Sequence, residues 1–381
     1  MAHHPPSSIL HPRRIVVRGT NWLGDAVMTT PALHRLRECF PDADIAVLTP
    51  EKLSDLYRGH PAIDEILPIL PDDGLPAVAR KLREKHFDTA LILPNSPRSA
   101  LEAWLAGIPH RVGYDRPWRN FFLTRAIGSR PEAVKMRKLS VAEIKRRTGF
   151  QPVSNVNHEK TETGRMPVQH QIHDYLHLVA ALGASPEPLP PQLAVAPAEI
   201  EAVKLKFGLP EIVQPLFGLA PGAEYGPAKR WPVEKFIAAA QEIRKRTSCA
   251  WLLLGTIGDA ALTGRIAAAL AEPPNAVQNL AGKTSLRELM ALLKSCRALL
   301  TNDTGPMHVA AALGVPVVAP FGSTSPELTG PGLPGDARHR LLKSDAPCSP
   351  CFRRECPIDF RCMNRISVAQ VVQAVVEAFE R

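Results

Sequence analysis

Two doubly wound α/β halves with parallel sheets are predicted for this 381-residue chain by three observations. Short apolar runs alternate with helical stretches along most of its length, and that alternation builds parallel sheets. The series stops at a proline-rich stretch near the middle and then starts again, as two domains would at this length. In three places an apolar run passes through a glycine-containing turn into a helix, and open sheets of this kind bind ligands at such turns.

The elements follow in order. Residues 1–13, beginning M-A-H-H-P-P-S-S, form a flexible extension without the apolar centre of a secretion signal, so a cytoplasmic chain is expected. A first domain over 14–183 carries strands near 14–18, 44–49, 63–69 and 88–93. The run A-S-P-E-P-L-P-P-Q-L, residues 184–193, opens a linker region over 184–212. A second domain over 213–365 carries strands near 215–220, 250–255, 276–279, 297–302 and 315–320. In the last segment, 366–381, Val368, Val371, Val372, Val375, Val376 and Phe379 recur at helical spacing and predict a packing helix. No apolar run approaches the length of a membrane span.

The three turns carry the chemistry. In T-N-D-T-G-P-M-H-V-A-A-A-L, residues 301–313, Asp303, Thr304, Gly305 and His308 stand where a strand becomes a helix. Bare N–H groups at a helix start attract phosphate; an ordinary capped helix is the plainer alternative. In R-I-V-V-R-G-T-N-W-L-G-D-A-V-M, residues 14–28, the spacing of Gly19 and Gly24 mimics a triphosphate-binding loop. Asp25 and Ala26 replace the Lys and hydroxyl such a loop needs, so that function is excluded. Asp25 is instead placed as a general base, or as a helix cap, or as both. In P-G-A-E-Y-G-P-A-K-R-W-P, residues 221–232, Lys229 or Arg230 can clamp a leaving diphosphate. Asp259, after the strand at 250–255, suits either ribose hydroxyls or the dipole of its own helix.

Charge is concentrated. Residues 98–147 hold twelve Lys or Arg against four acids, which accounts for +8 of the net +9. An anionic lipid surface or an acidic glycolipid fits this segment. Nucleic acid is not expected as a partner, since no nucleic-acid motif accompanies the charge. Four of seven cysteines, Cys348, Cys351, Cys356 and Cys362, lie within fifteen residues. They leave a structural zinc, disulfides and free thiols open. His158, His170, His173 and His177 crowd one helix start but lack a metal-binding motif; surface or acceptor contacts are the plainer reading.

Taken in order, N-W-L-G-D-A-V-M-T-T-P-A-L (21–33), L-P-N-S (93–96), A-G-I-P-H-R-V-G (106–113), the 221–232 block and N-D-T-G-P-M-H-V-A-A-A-L (302–313) resemble glycosyltransferase family nine, the ADP-heptose:lipopolysaccharide heptosyltransferases. The details are nearer the family's second heptosyltransferase type than its first. The resemblance implies a GT-B architecture, two Rossmann-like domains facing a cleft, with the C-terminal helix returning toward the first. It implies inverting transfer of heptose from ADP-L-glycero-D-manno-heptose to a heptosylated Kdo-lipid A inner core, with peripheral contact at the inner face of the cytoplasmic membrane. Asp25 would take the acceptor proton. Lys229 would hold the diphosphate, and no cofactor or catalytic metal would be required. Glu224, Asp259, Asp303, Thr304, Gly305 and His308 would bind the donor. Asn95, Ser96, Arg98, Arg111, Arg116 and Arg119, which follow the strand at 88–93, would bind the acceptor.

The alternatives are another family member with a different donor or acceptor, a nicotinamide-dependent oxidoreductase, and a non-catalytic module for anionic glycolipid. The second lacks a G-x-G-x-x-G after any strand.

Overall fold

The computed structural model describes residues 11–131, 133–134, 136–149, 170–273 and 276–380. The chain divides into two compact units, one of 1–133 with 171–194 and the other of 134–170 with 195–381. Glu132, Lys135, His158 and residues 1–10 lie outside the described residues.

The first unit is built on strands β1 (Arg14–Arg18), β2 (Asp44–Pro50), β3 (Glu65–Ile69), β4 (Thr89–Ile92), β5 (His110–Tyr114) and β6 (Arg125–Ile127), in the order β3-β2-β1-β4-β5-β6. All its pairings are parallel. Ile15, Val16 and Val17 of β1 face Ile45, Ala46 and Val47 of β2. They are buried, as expected of a central strand covered on both faces. The order reverses between β1 and β4, so the turns after these two strands open the crevice where ligands of doubly wound sheets bind.

The second unit repeats that plan. Its strands are β7 (Leu216–Ala220), β8 (Ala250–Leu253), β9 (Val277–Asn279), β10 (Ala298–Thr301), β11 (Val317–Phe321) and β12 (Arg340–Lys343), ordered β12-β11-β10-β7-β8-β9. Here the reversal falls between β7 and β10. Gly218 of β7 lies opposite Leu299 of β10, and a Cβ at Gly218 would stand 2.9 Å from that leucine's Cδ1.

Three strands were not legible in the sequence: β5, β6 and β12. They read H-R-V-G-Y, R-A-I and R-L-L-K, too short or too charged for an apolar signal. β6 and β12 are edge strands, where one flank is not covered by a neighbour.

Two boundaries also differ from expectation. Residues 134–149 group with the second unit rather than the first. Leu139 and Ile144 join the second core, and the Leu139 N–H donates to the Cys351 carbonyl at 3.0 Å. The C-terminal helix Val368–Phe379, expected to return toward the first domain, packs within the second unit against helix Val233–Thr247 and strands β10, β11 and β12. Val371, Val372 and Val375 are buried there, and at about 1.5–3 kcal/mol per buried aliphatic side chain that face dictates the docking. Within the expected linker region, 184–194 go with the first unit. Helix Pro197–Lys206 goes with the second, tied by Glu199 to Arg287 at 2.6 Å.

Candidate active site

In the first unit, β1 ends at Arg18 and the chain turns at Gly19, whose N–H donates to the Leu48 carbonyl at 2.9 Å. The helix Leu23–Met28 follows, with Trp22 at its cap position and Asp25 in its first turn. Asp25 faces a cavity of about 330 Å³ at the carboxyl ends of β1, β4 and β5, lined also by Asn95, Ser96, Tyr114, Arg116 and Gln171. Its Oδ1 accepts from Gln171 Nε2 at 2.9 Å and from the Tyr175 hydroxyl at 3.5 Å. Gln171 Nε2 also donates to the Tyr175 oxygen at 3.0 Å. Burial pushes the Tyr175 phenol well above its usual range, so it stays protonated. The carboxylate is thereby oriented by two neutral groups.

Gln171 and Tyr175 begin helix Ile172–Ala180, some 146 residues from Asp25. No motif marks them in the sequence, where the nearby histidines draw attention instead. His177 meets the Tyr114 hydroxyl through Nδ1 at 3.1 Å. Arg130 and Asp174, ion-paired at 2.8 Å, also line the cavity; Arg130 belongs to the basic segment 98–147, whereas Asp174 was unmarked.

The six acceptor candidates separate. Asn95, Ser96 and Arg116 line the Asp25 cavity. Arg98 lines a second cavity, of about 640 Å³, with Arg18, Lys52 and Glu102. Arg111 does not belong to the site. It sits at the amino end of β5, away from the ligand edge, and its guanidinium donates to the carbonyls of Phe122 (2.7 Å) and Ile108. Arg119 is also withdrawn as a direct ligand, since it is fully buried. It donates through Nη1 to the Pro94 carbonyl at 2.8 Å and to Asn95 Oδ1 at 3.4 Å. Burial, with Arg116 nearby, lowers it to about 10, so it remains charged at neutral pH. Its work is to brace the L-P-N-S turn from beneath.

In the second unit the turns after β7 and β10 are stitched together by Asn302. Its Nδ2 donates to the Pro221 carbonyl at 2.7 Å, and its Oδ1 accepts from the Trp231 N–H at 3.0 Å. That staple brings Lys229 to Asp303, with Nζ 2.6 Å from Oδ2. The same oxygen accepts from the Thr324 hydroxyl at 2.6 Å. Lys229 also lies 4.9 Å from the centre of the Tyr225 ring. The cation assigned to the diphosphate is therefore already paired, with an acid assigned to the donor.

Thr304 is the cap residue of helix Gly305–Ala312, and its side chain makes no cap hydrogen bond. One turn on, His308 is buried, and burial lowers its imidazole to about 4 against the raising influence of Asp303. It is neutral at pH 7.

Asp259 is engaged locally. Its Oδ2 accepts from the Thr256 N–H (3.0 Å) and hydroxyl (2.9 Å), capping its own turn. Arg230 Nη2 stands 3.8 Å from Oδ1. The carboxylate lies against Gly222, where a Cβ would fall 2.5 Å from Oδ1. Any larger residue at 222 would displace Asp259. Glu224 is exposed on the same loop.

The cysteines do not fit the zinc expectation. Among the described residues no group of three or more His, Cys, Asp or Glu is placed to hold a metal ion. Cys348, Cys351 and Cys362 are buried in the second core and none is in a disulfide. Burial and their neighbouring sulfurs raise the thiols, Cys362 to about 12. Their loop instead backs the turn that carries Lys229. The Ala228 N–H donates to the Arg354 carbonyl at 3.0 Å, and the Tyr225 hydroxyl to that of Phe352 at 3.0 Å.

Comparison with known proteins gives a consistent result. The model of glycosyltransferase family 9 (heptosyltransferase) matches residues 76–142 and 131–360. Lipopolysaccharide heptosyltransferase 2 of Escherichia coli K12 is 32% identical over 87% of this chain and 91% of its own. Lipopolysaccharide heptosyltransferase 1 of Pseudomonas aeruginosa is 26% identical over 90% of this chain and 87% of its own. The solved structure of E. coli ADP-heptose lps heptosyltransferase II superposes with a TM-score of 0.75 at 28% identity, covering 96% of this chain and 98% of that one. Two doubly wound parallel sheets and a family match over most of the chain lead to one conclusion: the chain belongs to glycosyltransferase family 9, the heptosyltransferases.

Proposed function

We propose that this enzyme transfers heptose from ADP-L-glycero-D-manno-heptose, with inversion, to the heptosylated Kdo-lipid A inner core of lipopolysaccharide, as the second heptosyltransferase type does. The observation that carries the chemistry is Asp25, a carboxylate oriented by Gln171 in the wall of a polar cavity at a switch point. It accepts the proton of the acceptor hydroxyl as that oxygen attacks the anomeric carbon. Negative charge then gathers on the leaving diphosphate. Lys229 and the amides of Thr304 and Gly305 stabilise it, and the arriving phosphates compete with Asp303 for the ammonium. Neutral His308 contributes a hydrogen bond rather than a charge. Glu224, Asp259 and Asp303 serve the donor sugar and nucleoside. Asn95, Ser96 and Arg116 meet acceptor hydroxyls and acids, with Arg98 at the neighbouring cavity.

Catalysis by these groups needs no metal, and the enzyme works at the cytoplasmic face of the membrane that holds its acceptor. The test is incubation with ADP-heptose and heptosylated Kdo-lipid A, with product read by mass. Gain of one heptose, undiminished by a chelator, is expected. Absence of the product with this acceptor, or loss on chelation restored by magnesium, contradicts the reading.

A further inference from the structure

Among the described residues, one segment of the first unit gathers exposed aromatic side chains. Between β5 and β6 the chain reads D-R-P-W-R-N-F-F-L-T, residues 115–124. Trp118 is 90% exposed and Phe121 80%, and Trp104 of helix Pro97–Leu105 is 40% exposed. Trp104 lies 6.3 Å from Phe121 and 5.7 Å from Phe122, ring centre to ring centre, and the two phenylalanines are 5.5 Å apart. Trp104, Phe121 and Phe122 form one cluster, and Trp118 stands exposed three residues before Phe121 in the same loop.

The patch is held out deliberately. Trp118 has φ of 65°, a left-handed conformation that a bulky residue adopts only at a cost. The next residue, Arg119, is the fully buried peg that binds the Pro94 carbonyl. The backbone thus points one side chain into the core and its large neighbour into solvent. A soluble surface gains nothing from a strained, exposed indole.

Its surroundings say what covers it. Residues 104–130 carry five arginines and a single acid, Asp115, whose carboxylate is occupied by the Asn120 amide; of the five, Arg119 is buried and Arg130 is paired with Asp174, and Arg111, Arg116 and Arg125 are partly exposed. Arg116 of the same loop reaches the Asp25 cavity, so the aromatic edge adjoins the site assigned to the acceptor. Indole and phenyl rings settle at the headgroup level of a bilayer, and clustered arginine favours anionic lipid.

We propose that Trp118, Phe121 and Trp104 form a membrane-docking edge that seats the enzyme on an anionic bilayer and brings the Asp25 cavity to a lipid-borne acceptor. The proposal rests on the glycolipid reading above only for its purpose; the docking itself is measured separately.

The experiment is flotation of the full chain with vesicles of phosphatidylcholine, with and without phosphatidylglycerol. The wild type should float with the anionic vesicles and less with the neutral ones, and salt should weaken it. The double variant Trp118→Gly, Phe121→Ser should bind about tenfold or more weakly, from the loss of two buried rings. Its melting temperature should be kept or raised, because glycine accepts the left-handed backbone. ADP affinity and turnover on a deacylated, water-soluble acceptor should be unchanged. Vesicle binding by the double variant equal to wild type, or no binding by wild type, overturns the proposal. So does a wild-type dimer that the double variant converts to monomer, since the edge would then join two copies. Failure to turn over the soluble acceptor would count against the proposed function and leave the flotation result standing.

Discussion

The two units share a topology and differ in how each makes a site from it. In the second, the turns after β7 and β10 contribute Lys229, Asn302, Asp303 and His308 from two short contiguous stretches, joined by the Asn302 staple. In the first, the turn after β1 supplies Asp25, but the groups that orient it come from helix Ile172–Ala180. The chain reaches that helix only after residues 136–149, which group with the other unit. A site made of adjacent strand ends is local and can be read from motifs. A site completed by a returning helix cannot, because its parts share no sequence neighbourhood.

The largest test of this contrast is Asp25→Asn, which keeps the shape of the first unit's site and removes its basicity. Turnover should fall by about a hundred- to ten-thousand-fold, with ADP affinity little changed. Near-normal turnover by a folded variant would move the base elsewhere.

Lys229→Ala addresses the second unit. Loss of one charge-assisted contact costs about 1.5–3 kcal/mol, so calorimetry should show ADP binding weakened by roughly ten- to a hundredfold. Stability should also fall, because Asp303 is left buried without its cation. Unchanged ADP affinity would assign the diphosphate to Arg230 or to the helix amides.

Gln171→Leu sharpens the role of the returning helix. Removing a donor from the carboxylate raises its pKa. The acid limb of the kcat/KM profile should therefore move up by about one pH unit, with ADP affinity intact. Lower turnover with an unmoved acid limb would make Gln171 a packing residue only.

The smallest effect concerns pH and stability. His308 is depressed to about 4 in the fold, against about 6.5 in an unfolded chain. Its contribution is complete above pH 6.5 and is lost as pH falls toward 4, because the unfolded chain binds the proton first. Melting curves should show the wild type losing stability over that interval more steeply than His308→Gln. Equal slopes would mean that the imidazole is not buried as described.

Legibility followed the same division. The nine strands expected from apolar runs all appear, while β5, β6 and β12 carry too much charge or too few residues to be seen. The four arginines expected at the acceptor show the limit best. Arg98, Arg111, Arg116 and Arg119 look alike in sequence, yet one lines the Asp25 cavity, one its neighbour, and two serve backbone carbonyls. A guanidinium has five donors and a long stem, so its task depends on which carbonyls the fold leaves within reach. The cysteines repeat the lesson, since spacing suggested a metal and packing made three of them core residues.

By itself the sequence determined the two parallel sheets, the family, and the turns that carry Asp25, Lys229 and Asp303, because apolar periodicity and strand-to-helix turns are local properties. Only the tertiary structure decided that Gln171 and Tyr175 hold Asp25, that Lys229 is paired with Asp303, and that Arg119 is buried while Trp118 beside it faces out. Those outcomes depend on which distant groups are brought within about 3 Å of one another, where hydrogen bonds and ion pairs act, and no local pattern encodes that distance.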